Sequence, residues 1–517
     1  MYSLSQALMR AALVNGKGVA TRYEGRELTW NETLDRVRRV AAALLSLGVR
    51  EGDRVALIGG NSDTLLHCLF GVTWAGGVAV PVNTRLAAPE IAYCLNDSGS
   101  RILLVDDDYW HYVPEIRNSL TTVERIVPIS GNPEGTANLT ELASSLDPAE
   151  DRGRGGSDIA ALYYTGGTTG RAKGVILTHE GFIVNVLQWA LSIGVTHRDV
   201  ILIVAPMFHL VGGLNAVAAV LLAASACLVR RFDVPTILRE IDACQVTKAA
   251  LVPVMVDAIV NHPDTARANL ASLQRISYGG APMTEAGLRR ALRALPGVRF
   301  CQIYGQTEGG PNISILHHEY HVLEGPNAGK LRSAGQPMPG TIVAILDEED
   351  RPVPQGEVGE ICVRGLTISP GYWNQPEETA KAQRNGWLHT GDAGYFDEDG
   401  FLYIVDRLKD MIITGGENVY SAEVENVVSL HEAVAECVVI GIPNERWGEQ
   451  IHAIVRLKEG HTCTEEELMA HCRKHLAGYK CVRSVEFRSE PFPLSGANKI
   501  LKRELRARYW RDRERNV

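Results

Sequence analysis

The sequence lacks several motifs that would assign a function at once. Its 10 cysteines contain no C-x-x-C pair, which argues against zinc ribbons and disulfide frameworks and favours a reducing compartment. It also has no Walker loop, no G-x-G-x-x-G dinucleotide loop and no G-x-S-x-G nucleophile elbow. These absences disfavour the common P-loop NTPases, dinucleotide-dependent enzymes and α/β-hydrolases.

Positive charge and long apolar runs are scarce as well. Lys and Arg number 52 against 61 Asp and Glu, so nucleic acid is not an expected partner. The start of the chain shows no basic segment followed by an apolar run, so no signal peptide is expected. Residues 211–229 carry no charge, but Gly212, Gly213 and Asn215 favour a buried helix followed by a strand over a membrane span. We therefore predict a cytoplasmic protein without an integral membrane segment.

The patterning predicts an α/β fold with more than one domain. At 517 residues a single core is not expected. Helical periodicity alternates with short apolar runs up to residue 304, which predicts a large N-terminal domain of layered α/β subdomains. Hairpin patterns from about residue 340 predict a small β subdomain. From about 410 a compact α+β C-terminal domain is expected, with Ser421 capping a helix and the tail from Lys499 forming a solvated amphipathic helix.

One glycine-rich segment stands between two apolar runs. Residues 163–174 read YYTGGTTGRAKG. Glycines allow close approach of the backbone to a ligand, while threonine hydroxyls, backbone N–H groups and Lys173 favour an anion such as a polyphosphate. A plain hairpin turn is the alternative.

Five further polar motifs follow in the chain. They are 279–282 (GGAP), 304–308 (YGQTE), 390–392 (TGD), 406–410 (DRLKD) and 493–499 (PLSGANK). With the glycine-rich segment, in this order and spacing, the set resembles the AMP-forming acyl-CoA synthetases, relatives of 4-coumarate–CoA ligases, fatty-acid–CoA ligases and firefly luciferase. The resemblance covers essentially the whole chain.

The resemblance implies a two-step reaction. Such enzymes join a carboxylic acid to ATP, which gives an acyl-adenylate and pyrophosphate, and then transfer the acyl group to coenzyme A. ATP, Mg²⁺ and coenzyme A are therefore the expected cofactors, and a homodimer is compatible with the family. An enzyme that loads a separate carrier protein, or a nucleotide-binding protein without turnover, remains an alternative.

The resemblance also implies roles for individual residues. The phosphate loop would contain Thr165, Gly166, Gly167, Thr168, Thr169, Gly170 and Lys173. Gly166 replaces the usual serine, and Ala172 the usual proline. The adenine strip would be Gly280, Ala281 and Pro282, with Tyr304 stacking on the base, Thr307 on the α-phosphate, Glu308 on magnesium, Asp392 on the ribose and Arg407 on the nucleotide. A buried core tyrosine is the alternative for Tyr304, and a turn aspartate for Asp392.

The remaining implied roles concern the C-terminal domain and the acyl pocket. Lys499 resembles the catalytic lysine, with Lys502 as competitor. The N-terminal domain would span 1–408 and a mobile C-terminal domain 409–517, with the hinge at Lys409. Gly415 and Gly416 would admit the coenzyme A arm, or form a simple turn. His209 would lie at the mouth of the acyl pocket, or in the core.

The residues expected around the acyl pocket are mostly small or apolar. They are Leu210, Val211, Leu214, Gly309, Gly310, Pro311 and Ile313. Because no Lys or Arg lies among them, an apolar aliphatic or aromatic acid is expected, with Gly309 and Gly310 setting the pocket size. The histidine-rich segment 317–321 (HHEYH) matches no motif, and we expect an exposed loop there rather than a metal site.

Overall fold

The computed structural model of the protein describes residues 3–135, 137–165, 171–281, 283–494 and 500–511. The first part of the chain alternates helices and strands. Its elements are α1 (Leu4–Asn15), β1 (Val19–Tyr23), β2 (Arg26–Thr29), α2 (Trp30–Ser46), β3 (Arg54–Ile58), α3 (Asp63–Trp74), β4 (Val78–Pro81), α4 (Ala88–Ser98), β5 (Ile102–Val105), α5 (Tyr112–Ile116), β6 (Arg125–Pro128), α6 (Leu139–Ser145), β7 (Ile159–Thr165) and β8 (Lys173–Thr178).

The second part repeats the alternation. Its elements are α7 (His179–Ile193), β9 (Val200–Ile203), α8 (Leu210–Leu222), β10 (Ser225–Leu228), α9 (Val234–Cys244), β11 (Lys248–Leu251), α10 (Pro253–Asn261), β12 (Arg275–Gly279), α11 (Glu285–Ala294), β13 (Arg299–Tyr304), β14 (Ser314–Leu316) and β15 (Gln336–Pro337). The uncharged stretch 211–229 thus divides into α8 and β10, as predicted. Among the described residues, no helix combines the length and apolar character that crossing a membrane requires.

The strands of these two parts form two large sheets. In the described residues one sheet has the order β6-β5-β3-β4-β7-β8, and the other β15-β14-β13-β12-β11-β9-β10-β1-β2. Their inner strands are parallel. The largest hydrophobic core takes Leu57 and Ala161 from the first sheet, Ile203 from the second, and Ala218 from α8. The predicted layered α/β architecture is confirmed, with α8 buried between the sheets.

The third part is the predicted β subdomain. It contains β16 (Thr341–Leu346), β17 (Gly359–Gly365), α12 (Pro376–Ala382), β18 (Gln383–Arg384), β19 (Trp387–Phe396) and β20 (Leu402–Arg407). These strands pair antiparallel. A short 3₁₀ turn, Leu408–Asp410, follows β20 and leads into the last part of the chain.

The last part is a separate α+β unit. Its elements are β21 (Ile412–Thr414), β22 (Glu417–Val419), α13 (Ser421–Ser429), β23 (Val434–Asn444), β24 (Gly448–Leu457), α14 (Glu465–His475), β25 (Ser484–Phe487) and α15 (Lys502–Ala507). Its strands form a sheet of their own, β22-β21-β24-β23 with β25 beside β24. Helices α13 and α14 cover this sheet through a core that includes Val424 and Leu468.

Helix boundaries follow local capping where it exists. Thr29 caps α2: its side chain accepts from the backbone N–H of Glu32, and the Glu32 side chain accepts from the backbone N–H of Thr29, so two donors at the start of the helix are satisfied. The prediction that Ser421 caps α13 is wrong. Tyr420 takes the cap position, and the Ser421 hydroxyl instead accepts from Lys502 at 2.6 Å.

Two expectations about exposure also need correction. Residue His321 of the histidine-rich segment is buried. Its Nε2 forms a hydrogen bond with the Tyr278 hydroxyl at 3.1 Å. The tail is not a long solvated helix within the described residues. It forms the six-residue α15, whose Leu505 is buried against β23 and β24 residues such as Ile440 and Ile454.

Candidate functional site

The glycine-rich segment connects two antiparallel strands. Thr165 at the end of β7 pairs in register with Lys173 at the start of β8, so the intervening chain is the connection of a β-hairpin. Residues 166–170 lie outside the described residues, and the placement of Gly166, Gly167, Thr168, Thr169 and Gly170 is therefore not part of the site geometry. The hairpin alternative and the phosphate-loop prediction are compatible with this topology.

Lys173 is held by an acidic partner at the base of this hairpin. Its Nζ lies 2.5 Å from Glu378 Oε2 on α12 and 4.9 Å from the ring centre of Tyr372. The Lys173 ammonium lowers the pKa of the Glu378 carboxyl to about 2. At neutral pH the Glu378 carboxyl is therefore charged, and an anion that binds Lys173 must compete with it.

Glu308 lies in a short 3₁₀ turn, Thr307–Gly309, immediately after β13. Its Oε1 accepts from the Tyr372 hydroxyl at 3.0 Å and from Thr165 Oγ1 at 3.4 Å. Burial, followed by the Glu308 charge, raises the pKa of Tyr372 well above its usual value, so this hydroxyl remains a donor. The structure thus brings Glu308 beside the first residue of the phosphate-loop prediction.

Tyr304 and Asp392 form the second polar pair of the site. Tyr304 ends β13, and its hydroxyl donates to Asp392 Oδ2 at 2.7 Å. Arg407 at the end of β20 pairs in register with Asp392 on β19, and its Nε lies 3.5 Å from Asp392 Oδ1. Tyr304 is buried against residues of the β subdomain such as Ile361. Burial is also the main cause that raises the Tyr304 pKa, with the Asp392 charge second.

The predicted adenine strip lies at the same edge of the sheet. Gly279 at the end of β12 pairs with Ile303, the residue before Tyr304. A Cβ at Gly279 would lie 2.2 Å from the carbonyl oxygen of Ile303, so glycine is required for this close strand contact. Gly280 follows with a φ of +80°. Ala281 is the last described residue of the strip, since Pro282 lies outside the described residues.

A small cleft opens beside the turn that carries Glu308. Its lining includes the predicted residues Leu210, Leu214, Gly310 and Pro311, and further Ile176, Leu177, Thr178, Gly181, Phe182, Asn185, Thr367, Ile368, Ser369 and Pro370. Val211, Gly309 and Ile313 are not among its lining residues. The lining contains no Lys or Arg in the described part of the chain. His209 directly precedes Leu210, at the N-cap position of α8.

Gly310 does not determine the cleft size in the way that the sequence suggests. Its φ is +66°, and a Cβ there would lie 2.1 Å from Asn185 Nδ2 and 2.8 Å from Thr367 Cβ. Any side chain would therefore strain the backbone and collide with the cleft wall, whatever acid is bound. At Gly309 a Cβ would meet the Ile313 side chain at 3.0 Å, which is a core contact.

The C-terminal unit carries the other predicted residues. Gly415 and Gly416 form the two-residue turn between β21 and β22, with φ values of +63° and +85°, as type I′ hairpins require. A Cβ at Gly415 would lie 2.8 Å from Trp447, whereas nothing lies within 4 Å at Gly416. Lys499 lies outside the described residues.

The competing lysine, Lys502, is engaged within this unit. Its Nζ lies 2.7 Å from Glu425 on α13. Burial lowers the Lys502 pKa, but Glu425 and Asp406 outweigh that effect and raise it overall. Lys502 therefore remains charged and paired with Glu425. This pairing does not favour Lys502 as the catalytic lysine.

Three residues of the site were not predicted from the sequence: Tyr372, Glu378 and Asn185. Tyr372 follows a Pro-Gly turn, and its contact with Glu308 spans 64 residues. Glu378 lies on an ordinary exposed helix, and Asn185 on the apolar α7. No local pattern distinguishes them, since each acquires its role through a long-range contact. Only the asparagine on an apolar helix offered a signal, as a buried polar group that needs a partner.

Comparisons with known proteins show the family to which the chain belongs. Residues 8–373 match the model of the AMP-binding enzyme family, and residues 423–499 match its C-terminal domain. The chain is 38% identical over 504 residues to a feruloyl-CoA synthase of Amycolatopsis sp., covering 97% of this chain and 98% of that one. It is 36% identical to the fatty acid–[acyl-carrier-protein] ligase ScoC of Streptomyces coeruleorubidus, covering 96% and 94%.

A solved structure is similar over the same length. It is the o-succinylbenzoate CoA synthetase from Bacillus subtilis in complex with its acyl-adenylate intermediate. The TM-score is 0.85 at 31% identity, and the alignment covers 96% of this chain and 97% of that one. The similarity includes both the large α/β part and the C-terminal unit.

Proposed function

Since this chain belongs to the AMP-forming acyl-CoA synthetases of the AMP-binding enzyme family, we propose that it activates an apolar monocarboxylic acid, aromatic or aliphatic, and transfers it to coenzyme A. Enzymes of this family are acid–thiol ligases that use ATP and coenzyme A. The observation that supports the substrate class is the cleft without Lys or Arg in its described lining. A second carboxylate of the substrate would have no cation to pair with there.

Hydrogen bonds join the cleft wall to the turn whose residues would take part in the adenylation. Ser369 and Thr367 line the cleft, and both bind the turn that carries Glu308. The Ser369 N–H donates to the Glu308 carbonyl at 2.8 Å, and Thr367 Oγ1 donates to the Gly309 carbonyl at 3.0 Å. An acid whose apolar part fills the cleft would thus present its carboxylate near Glu308, which is where a phosphate must be placed.

We assign the nucleotide to the groups that converge beside Tyr304. Asp392 would accept the ribose hydroxyls, with Tyr304 and Arg407 fixing its orientation. The strip from Gly280 would lie along the base, and Lys173 with the phosphate loop would hold the β- and γ-phosphates. Attack of the substrate carboxylate on the α-phosphate develops negative charge, which Thr307 and Lys499 would stabilise by hydrogen bonding and by positive charge.

Magnesium fits the donor set around Glu308. Both described hydroxyl donors bind its Oε1, so Oε2 is the oxygen that we assign to the ion, and carboxylate oxygens are the ligands that Mg²⁺ prefers. When bound, the ion would neutralise phosphate charge. The protein's own contribution is to hold the Glu308 carboxylate through Tyr372 and Thr165.

We also propose that the second half-reaction uses a different orientation of the C-terminal domain, residues 409–517. Arg506 on α15 lies 2.7 Å from Asp410 and donates to the Lys409 carbonyl at 3.4 Å. Asp410 is therefore attached to the C-terminal unit, whereas Arg407 belongs to β20. This arrangement supports a hinge at Lys409, about which Lys499 and the Gly415–Gly416 turn would alternate at the site.

An acid panel tests the substrate proposal. Hydroxycinnamic acids, fatty acids of several lengths, succinic acid and an amino acid would each be incubated with ATP and the protein, and pyrophosphate release measured. We expect turnover with hydroxycinnamic and fatty acids, and none with succinic acid or the amino acid, which carry a second charged group. Preference for succinic acid would contradict the proposal. Fatty acid transfer to an acyl-carrier protein, with no transfer to coenzyme A, would support the alternative suggested by the ScoC similarity.

Two predictions about the whole protein remain to be measured. The predicted cytoplasmic location is tested by cell fractionation. A homodimer is tested by light scattering of the purified protein.

A further inference from the structure

Two buried cysteines and a glutamate meet where α9 packs against strand β10 of the nine-stranded sheet, away from the site described above. Glu240 and Cys244 lie one turn apart on α9, and Cys227 lies on β10. A Cys244 sulfur, a Cys227 sulfur and a Glu240 oxygen all lie within 4.8 Å of one another. Both cysteines are buried, while Glu240 is partly exposed, so the cluster has one side open to solvent.

One donor–donor distance, between Cys244 and Glu240, equals the edge of a zinc tetrahedron. Zinc binds thiolate sulfur at about 2.3 Å and carboxylate oxygen at about 2.0 Å, so the S···O edge of a tetrahedron is about 3.5 Å. The distance from Cys244 Sγ to Glu240 Oε2 is 3.5 Å. Residues i and i+4 of a helix present their side chains on the same face, which explains why α9 offers two ligands at once.

The surrounding charges fit a bound cation. Two thiolates and a carboxylate carry three negative charges, which a divalent ion reduces to one. Arg22 on β1 pairs directly with Cys227 in register, and its Nε binds Glu27 at 2.8 Å. Its Nη1 is buried without a hydrogen-bond partner among the described residues. The Arg22 guanidinium, which also pairs with Glu27, thus adds one positive charge beside Cys227.

The Glu240 carboxylate is oriented toward Cys244. Arg239 occupies the other oxygen of Glu240, at 3.2 Å from Oε1, so Oε2 is the one directed to the sulfurs. Binding of a metal ion would displace the proton of each thiol into solvent.

We propose that Cys227, Glu240 and Cys244 form a structural zinc site, with water as fourth ligand on the exposed side. The site would attach the last turn of α9 to strand β10. It would act through stability, because none of its residues lines the cleft or contacts Glu308, Asp392 or Lys173 in the described structure. The other cluster of this kind, Glu360, Cys362 and His389, is less suitable, since Glu360 already holds His389 and the Gly391 N–H.

Cobalt substitution tests the proposal in the full-length protein without an affinity tag, kept reduced by a phosphine. One equivalent of Co²⁺ is expected to give thiolate-to-cobalt charge-transfer absorption and the visible bands of a tetrahedral ion. Zn²⁺ should displace it and raise the melting temperature. Glu240→Gln should weaken Zn²⁺ binding by about tenfold to a hundredfold, a loss of about 1.4–2.7 kcal/mol, and Cys244→Ser should abolish the charge-transfer bands.

Two matched controls distinguish this site from others. Cys463→Ser changes a cysteine of the C-terminal unit, and Cys362→Ser changes the other cluster, so both variants should retain the wild-type spectrum. Absence of charge-transfer absorption in the reduced wild type, its persistence in Cys244→Ser, or its loss in Cys362→Ser would each overturn the proposal. A 227–244 disulfide that forms in air, in a protein that binds no Zn²⁺ when reduced, would also overturn it. Because the readouts are spectra and metal affinity, they do not depend on the proposed catalytic activity.

Discussion

The hydroxyl of Tyr304 donates to the carboxylate of Asp392 at 2.7 Å, across 88 residues of sequence. Tyr304 ends a strand of the nine-stranded sheet, and Asp392 belongs to the β subdomain. This bond therefore joins the nine-stranded sheet to the β subdomain at the position where we place the nucleotide. Arg407 contacts the other carboxylate oxygen, so the orientation of Asp392 is fixed from two sides.

Removing this hydroxyl should weaken nucleotide binding. Tyr304→Phe keeps the ring but loses a hydrogen bond to a charged group, which contributes about 1.5–3 kcal/mol. We expect AMP to bind about tenfold to a hundredfold more weakly by calorimetry. Tyr403→Phe, on β20, is the control and should bind AMP like the wild type. Equal AMP affinity in the Tyr304→Phe protein would show that the bond does not position Asp392.

Neutralising Glu308 should impair adenylation. Glu308→Gln can still accept from the Tyr372 hydroxyl, so the local contacts survive while the charge is lost. We expect a tenfold to hundredfold decrease in the pyrophosphate release rate and a higher Mg²⁺ requirement. Glu319→Gln, on a nearby exposed turn, serves as control. If the Glu308→Gln variant has the wild-type rate and the wild-type Mg²⁺ titration, Glu308 is not a magnesium ligand.

The sequence predicted the fold because the alternation of helices and strands depends on local patterns. Periodicity located the strands that end at Gly279 and Tyr304, and short motifs located Glu308 and Asp392 next to them. The partners Tyr372, Glu378 and Asn185 could not be found in this way, since their roles arise from contacts between distant segments. The constraint on Gly310 could not be found either, because its positive φ and the position of Asn185 beside it are invisible in sequence.

Cleft size should respond to Leu214, not to Gly310. Leu214 is buried on α8 and lines the cleft, so Leu214→Phe should reduce kcat/KM for long acids more than for short ones, with KM for ATP unchanged. Gly310→Ala should instead lower the melting temperature and reduce activity with every acid, because of strain. A selective loss of long acids in Gly310→Ala, or a uniform loss in Leu214→Phe, would contradict this view.

Single substitutions in the C-terminal domain should impair one half-reaction and leave the other intact. Lys499→Ala should abolish acyl-adenylate formation, yet convert supplied acyl-adenylate and coenzyme A to thioester. Gly416→Leu should do the reverse. Gly400→Leu is a matched control, because Gly400 also lies in a hairpin turn with φ +76° and nothing within 4 Å of its Cβ position. Single-turnover assays in which Lys499→Ala and Gly416→Leu damage both halves equally would disprove alternation.

Stability should decrease in mild acid because of buried histidines. Burial lowers the pKa of His179 to about 4, and its Nδ1 accepts from the Leu4 N–H at 3.2 Å. With an ordinary pKa of about 6.5 in the unfolded chain, His179 binds more protons when unfolded between these values, so stability falls as pH falls through that window. From pH 7.5 to 5 this residue should contribute a loss of about 2 kcal/mol.

Urea denaturation at the two pH values measures this contribution. His179→Gln keeps a hydrogen-bond acceptor and removes the titration, so its stability should depend less on pH than that of the wild type. Gln substitution of the exposed His461 is the matched control for the loss of an imidazole. An identical pH dependence in His179→Gln and the wild type would refute the assignment.

The central claim is that one site adenylates an apolar acid and then passes it to coenzyme A. Mass spectrometry of a reaction with a hydroxycinnamic or fatty acid tests it directly. With the acid and ATP but no coenzyme A, about one equivalent of acyl-adenylate per enzyme should accumulate. Adding coenzyme A should convert this acyl-adenylate to acyl-CoA, and acyl-CoA and AMP should then form in equal amounts over many turnovers. Formation of ADP, or acyl-CoA without an acyl-adenylate, would contradict the claim.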